Sequence, residues 1–123
     1  MKKLLIVEDD VDMTDILRIA LAAKYDLKIV HDSKSIPSAL ENFLPDVLLL
    51  DNFIGQSKAT EVLKEIKLLN ELKIIPFILF SAHPDIEKIA ITMNANGFLP
   101  KPFKLTELYA CLDKVISENI QPV

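Results

Sequence analysis

Val47-Leu48-Leu49-Leu50-Asp51 is the stretch that decides the fold. Four apolar residues without alternation read as a strand covered on both faces, the kind that parallel sheets place between helix layers. The acid at its end is the other half of the reading, because a charge closing an apolar run is costly unless it is exposed or paired. A similar run, Leu4-Leu5-Ile6-Val7, is closed by Glu8-Asp9-Asp10. In an open parallel sheet the carboxyl ends of the strands are where ligands bind, so the two acidic groups are expected to share one crevice. Carboxylates crowded together repel unless a cation joins them. A hard cation such as Mg²⁺, held by one or two carboxylates and keeping several waters for a phosphate, suits such a crevice.

Outward from these runs the chain alternates strand and helix five times. Strands are expected over Lys3–Val7, Leu27–Val30, Val47–Leu50, Pro76–Phe80 and Gly97–Leu99. Helical stripes run through Met13, Ile16, Leu17, Ala20 and Leu21, through Val62, Leu63, Ile66 and Leu69, and through Leu105, Leu108, Tyr109, Leu112 and Ile116. Pro37 suits the first turn of a second helix with Ser35 as its cap, and Pro84 is placed to open a fourth. In that fourth helix Ile86, Ile89, Ala90 and Met93 share the side facing the sheet, and Ile91 falls off it toward solvent. This alternation implies right-handed crossovers and a flavodoxin-like, doubly wound (βα)5 sandwich. Its five-stranded parallel sheet is expected in the order 2-1-3-4-5, with the switch point between the first and third strands, where both acidic clusters sit.

Two more residues follow strands. Ser81 comes after Phe77-Ile78-Leu79-Phe80, and Lys101, within Lys101-Pro102-Phe103, comes after Gly97-Phe98-Leu99. An acid pair, an aspartate, a hydroxyl and a Lys-Pro-Phe, each at a strand end and in that order, resemble the receiver domain of bacterial two-component response regulators, of the single-domain, chemotaxis-regulator-like kind. The resemblance covers the whole chain, residues 1–123. It implies that Asp51 is the phosphoacceptor, taking a phosphoryl group from a histidine kinase or a histidine phosphotransfer protein. It implies a metal, Mg²⁺ or Mn²⁺, touched by Asp9, Asp51 and the backbone carbonyl of Phe53, with Glu8 acting through water and Asp10 a bystander. Ser81 is then the switch hydroxyl, Lys101 the phosphate-contacting lysine and Phe98 the aromatic switch. The implied output is a protein partner, or a second copy of the chain, on the face formed by the fourth helix, fifth strand and fifth helix. The side chains of Phe53 and His83 are the expected neighbours of the water that hydrolyses the aspartyl phosphate. Such a domain catalyses only its own phosphorylation and dephosphorylation.

Composition narrows the classes. The chain has 123 residues, half of them apolar, which suits one small domain with a real core. Fourteen basic and eighteen acidic side chains give a net charge of −4, with no basic block longer than Lys2-Lys3, which argues against direct nucleic-acid binding. One cysteine, Cys111, precludes an internal disulfide and reads as a small buried hydrophobe; there is no signal-peptide pattern, so a cytoplasmic location is expected. No apolar stretch approaches the roughly 20 residues that span a bilayer. Met1 and a short tail after the last helix lean toward a free-standing regulator.

Each residue also has a plainer role. Acids after a strand serve as helix caps, and Asp10 or Asp12 is well placed for that. Ser81 alone is a turn residue, Lys101 alone a surface lysine, and an aromatic in a strand such as Phe98 is usually core. His31 has no evident partner, and a loop histidine such as His83 is more often solvated. Departures from the family pattern are Gly55 and Ala59, where most members have proline and glycine, and a spacing from Ser81 to Lys101 shorter by two. Two other classes compete with the switch. A haloacid-dehalogenase-like phosphohydrolase wants a second aspartate where Phe53 stands, and a flavodoxin-like mononucleotide-binding protein wants a phosphate-cradling loop where Glu8-Asp9-Asp10 stands.

Overall fold

The computed structural model describes residues 1–51, 53, 54, 57, 58, 61, 64 and 75–119. Five strands, β1 (Lys3–Val7), β2 (Asp26–Val30), β3 (Val47–Asp51), β4 (Phe77–Ser81) and β5 (Gly97–Pro100), form one sheet in the order β2-β1-β3-β4-β5. Every pairing in it is parallel, with Leu4 beside Val47, Leu48 beside Phe77 and Ile78 beside Gly97. This is the flavodoxin-like order, and Asp51 and Ser81 are the last residues of their strands. A short antiparallel pairing of Phe53–Ile54 with Ser57–Lys58 follows β3.

Apolar residues on both faces of β1, β3 and β4 create two cores. Leu5, Val7, Leu48, Leu50 and Leu79 meet helix α2 (Ile36–Phe43) and the helix Ile86–Thr92 on one side. Leu4, Ile6, Leu49, Ile78 and Phe80 meet α1 (Val11–Leu21) and the helix Leu105–Glu118 on the other. Because side chains alternate along a strand, a slip by one residue would exchange the two sets, which pins the register that aligns the strand ends. Among the described residues no helix is long and apolar enough to cross a membrane.

Several local expectations are corrected. In α1, Ile16 is exposed and Thr14 is buried instead, its hydroxyl satisfied by donating to the carbonyl of Val11 (2.9 Å). Leu105 is likewise exposed at the start of its helix, and Val115 takes a core place that the expected stripe left out. Ser35 occupies the N-cap position of α2 but does not cap it: its hydroxyl and amide both donate to Asp32, closing a 3₁₀ turn over Ser33–Ser35. Pro84 lies before the N-cap Asp85 rather than opening its helix. Cys111 is only partly buried, since the groove beside Phe98 reaches it. Ile86, Ala90 and Met93 are buried, Ile89 partly so, and Ile91 is 68% exposed, as the helical angle predicts. The helical stripe from Val62 to Leu69, the side chain of Phe53 and the substitutions at Gly55 and Ala59 lie outside the described residues.

Candidate functional site

The carboxyl ends of β1, β3 and β5 bring four charged residues together. Glu8 extends the β1 ladder by one step, its amide donating to the carbonyl of Val30 (3.1 Å), and its side chain is almost wholly buried at 1% exposure. Asp51 ends β3 in the adjacent position and is 8% exposed. From across the sheet Lys101 extends β5 in the same manner, its amide donating to the carbonyl of Ser81 (2.9 Å). Its ammonium then lies 2.7 Å from Glu8 Oε1 and 3.6 Å from Asp51 Oδ1. Beneath it the ring of Phe80 has its centroid 4.5 Å from Nζ, an aromatic floor that favours a cation there.

Two acids and one ammonium leave the site short of positive charge. Burial pushes the Glu8 carboxyl up to about 8, the neighbouring Asp51 carboxylate pushes the same way, and Lys101 opposes them. Oε2 of Glu8 is buried with no hydrogen-bond partner. Native structures seldom tolerate such an atom without a ligand or water to meet it. Glu8, Asp9 and Asp51 each offer a carboxylate oxygen within 4.8 Å of the others, with Asp9 on the exposed side. Three converging hard oxygens and one orphaned acceptor fit a divalent cation of the Mg²⁺ type.

The neighbouring acid has a different job. Asp10 is the N-cap of α1, its Oδ1 accepting from the amides of Asp12 (3.0 Å) and Met13 (3.3 Å). Ser81 is buried and its Oγ accepts the amide proton of His83 (3.0 Å), while Nδ1 of His83 accepts from the amide of Asp85 (3.0 Å). Nδ1 of the imidazole is thus engaged by its own turn. Phe98, on β5, is 37% exposed and lines a groove of about 460 Å³ with Ile91, Gly97 and Cys111. His31, for which the sequence suggested no partner, reaches the site's first strand: its Nδ1 lies 3.1 Å from the carbonyl oxygen of Glu8. Strand register held the missing signal, since Val7 pairs with Val30 and the next residues along are Glu8 and His31.

A parallel α/β sheet with acids, a hydroxyl and a lysine at its carboxyl edge defines a signalling domain of the two-component type. The chain belongs to the response regulator receiver domain family, whose pattern it matches over residues 4–113. It is 32% identical over 123 residues to the DNA-binding transcriptional regulator NtrC of Salmonella typhimurium, covering 95% of this chain and 26% of that protein. It is 29% identical over 121 residues to the sensor histidine kinase TmoS of Ectopseudomonas mendocina, covering 96% of this chain and 12% of the kinase. The chain therefore spans only a minor part of these relatives. The fold is that of the chemotaxis response regulator CheY4 of Vibrio cholerae, with a TM-score of 0.80 at 22% identity over 94% of this chain and 98% of that one.

Proposed function

We propose that the chain is a phospho-accepting switch in which Asp51 takes a phosphoryl group from a histidine kinase or histidine phosphotransfer protein. The observation that carries this reading is the Lys101 ammonium, held between Glu8 Oε1 and Asp51 Oδ1 over the Phe80 ring. In the transfer, an oxygen of the Asp51 carboxylate forms a bond to phosphorus as the phosphorus–nitrogen bond of the donor phosphohistidine breaks. The imidazole leaves with that electron pair and takes up a proton. Transfer of this kind depends mostly on positioning and charge neutralisation, and the Lys101 ammonium, 3.6 Å from Asp51 Oδ1, would meet the oxygens of a phosphoryl group carried there. Glu8, Asp9, Asp51 and the Phe53 carbonyl would hold Mg²⁺ or Mn²⁺, which when bound neutralises charge on those oxygens. Ser81 and its turn then connect the site to the helix Ile86–Thr92, and the output face is the groove beside Ile91 and Phe98, serving a protein partner or a second copy of the chain. By the family pattern, the residues at positions 53 and 83 are the proposed modulators of hydrolysis, and a large apolar residue at position 53, unable to position water by a hydrogen bond, is expected to make self-dephosphorylation slow.

Intact-mass measurement after incubation with a small acyl phosphate tests the assignment. One added phosphate is expected with Mg²⁺, and none in chelator or in Asp51→Asn. Undiminished labelling of Asp51→Asn would overturn it.

A further inference from the structure

We infer that His31 is a positioning residue for the acidic loop: by donating Nδ1–H to the Glu8 carbonyl it locks the Glu8–Asp9 peptide, and with it the direction in which the metal-site carboxylates point. The inference rests on the metal-assisted reading above.

The peptide group between Glu8 and Asp9 sits just past the end of β1, where the regular ladder with β2 runs out. On its near side the Glu8 amide is still held by the Val30 carbonyl (3.1 Å). In a parallel ladder the Glu8 carbonyl would next accept from the main-chain amide one residue beyond its opposite number, which here is Asp32. The imidazole of His31 takes that place at 3.1 Å, so a side chain substitutes for the next rung. A carbonyl oxygen can only accept, so Nδ1 must carry the hydrogen. Glu8 is thereby held at both its amide and its carbonyl, and its side chain and that of Asp9 leave a fixed peptide plane in different directions, one buried toward Lys101 and one exposed.

A plane free to rotate would have to be ordered each time a cation bound, at an entropic cost that falls on affinity. Hydrogen bonds that orient ligands from behind typically matter by about tenfold or more in metal affinity. His31 itself is exposed and takes no part in either core, so replacing it leaves the packing of the sheet intact.

Calorimetric titration of the full chain with Mn²⁺ tests this, in wild type, His31→Leu and His31→Asn. The Asn amide nitrogen occupies the place of Nδ1 and can donate the same bond, whereas Leu cannot. About tenfold weaker binding is expected for His31→Leu, with His31→Asn restored to near the wild-type value and thermal midpoints alike in all three. The Asp9 amide resonance of the metal-free protein should shift in His31→Leu and return in His31→Asn. Equal affinity in wild type and His31→Leu, or equal loss in both variants, overturns the role of His31 while leaving the metal site standing. A wild-type chain that binds no Mn²⁺ overturns the metal-assisted reading and this inference with it.

Discussion

Lys101 Nζ lies 2.7 Å from Glu8 Oε1, joining the residue just past β5 to the residue just past β1 across 93 positions of sequence. That contact closes the crevice from the far side. It also ties the ionisation of a buried acid to whatever occupies Asp51, because the ammonium serves both carboxylates.

The first consequence is a pH dependence of opposite sign to that of most paired carboxylates. The folded chain keeps a proton on Glu8 up to about 8, while the unfolded chain releases it near the ordinary value of 4.5. The folded state therefore binds more protons throughout that window. Stability contributed by Glu8 is fully present below it and is lost as pH rises through it, by at most about 1.4 kcal/mol per pH unit for one proton. Urea unfolding in chelator from pH 5 to pH 9 should show this decline, and Glu8→Gln should flatten it. A slope unchanged in the variant would assign the effect elsewhere.

The adjacent acids Asp9 and Asp10 should separate by experiment. Asp10→Ala removes the cap of α1 and is expected to lower stability by about 1 kcal/mol, with acyl-phosphate labelling of Asp51 retained. Asp9→Ala should instead abolish Mg²⁺-dependent labelling while leaving the cap of α1 in place. Chemical denaturation alongside intact mass reads both.

Gly97 is required for space. A Cβ there would stand 3.0 Å from Val115 Cγ2 and 3.3 Å from Cys111 Sγ, pressing β5 away from the helix behind it. Gly97→Ala should cost about 1–3 kcal/mol, the usual range for overpacking. Val115→Ala in the same chain should recover part of that loss, giving a non-additive double-mutant cycle; strict additivity would show that the two do not collide.

The output face makes a spectroscopic prediction. With a beryllofluoride mimic of the phosphorylated state, amide shifts should extend from the loops around Asp51 into residues 86 to 109, including Ile91 and Phe98. Shifts confined to the Asp51 loops would place the readout elsewhere.

Much of this was legible in the sequence because the decisive signals are local. Apolar runs too continuous for a one-sided strand marked the sheet, and charges closing them marked the edge where they gather, so Glu8, Asp9, Asp51 and Lys101 meet where their order in the chain suggested. What stayed hidden depends on geometry between elements. Thr14 is buried while Ile16 faces solvent, and its hydroxyl is satisfied within its own helical turn, which a hydropathy pattern does not register. Ser35 is drawn away from capping by the nearby carboxylate of Asp32. His31 finds Glu8 only through the register of two strands far apart in sequence.

The small bond between the Ser81 hydroxyl and the His83 amide has a thermodynamic meaning of its own. An oxygen that accepts from an amide still has its proton to give, and the amide restrains where that oxygen sits. The side-chain rotamer that places that oxygen is thus already held in the resting domain, before any phosphoryl oxygen arrives. What a new acceptor at Asp51 would meet is a donor whose ordering cost belongs to folding, so that more of the bond's strength remains to displace the turn leading into the helix Ile86–Thr92.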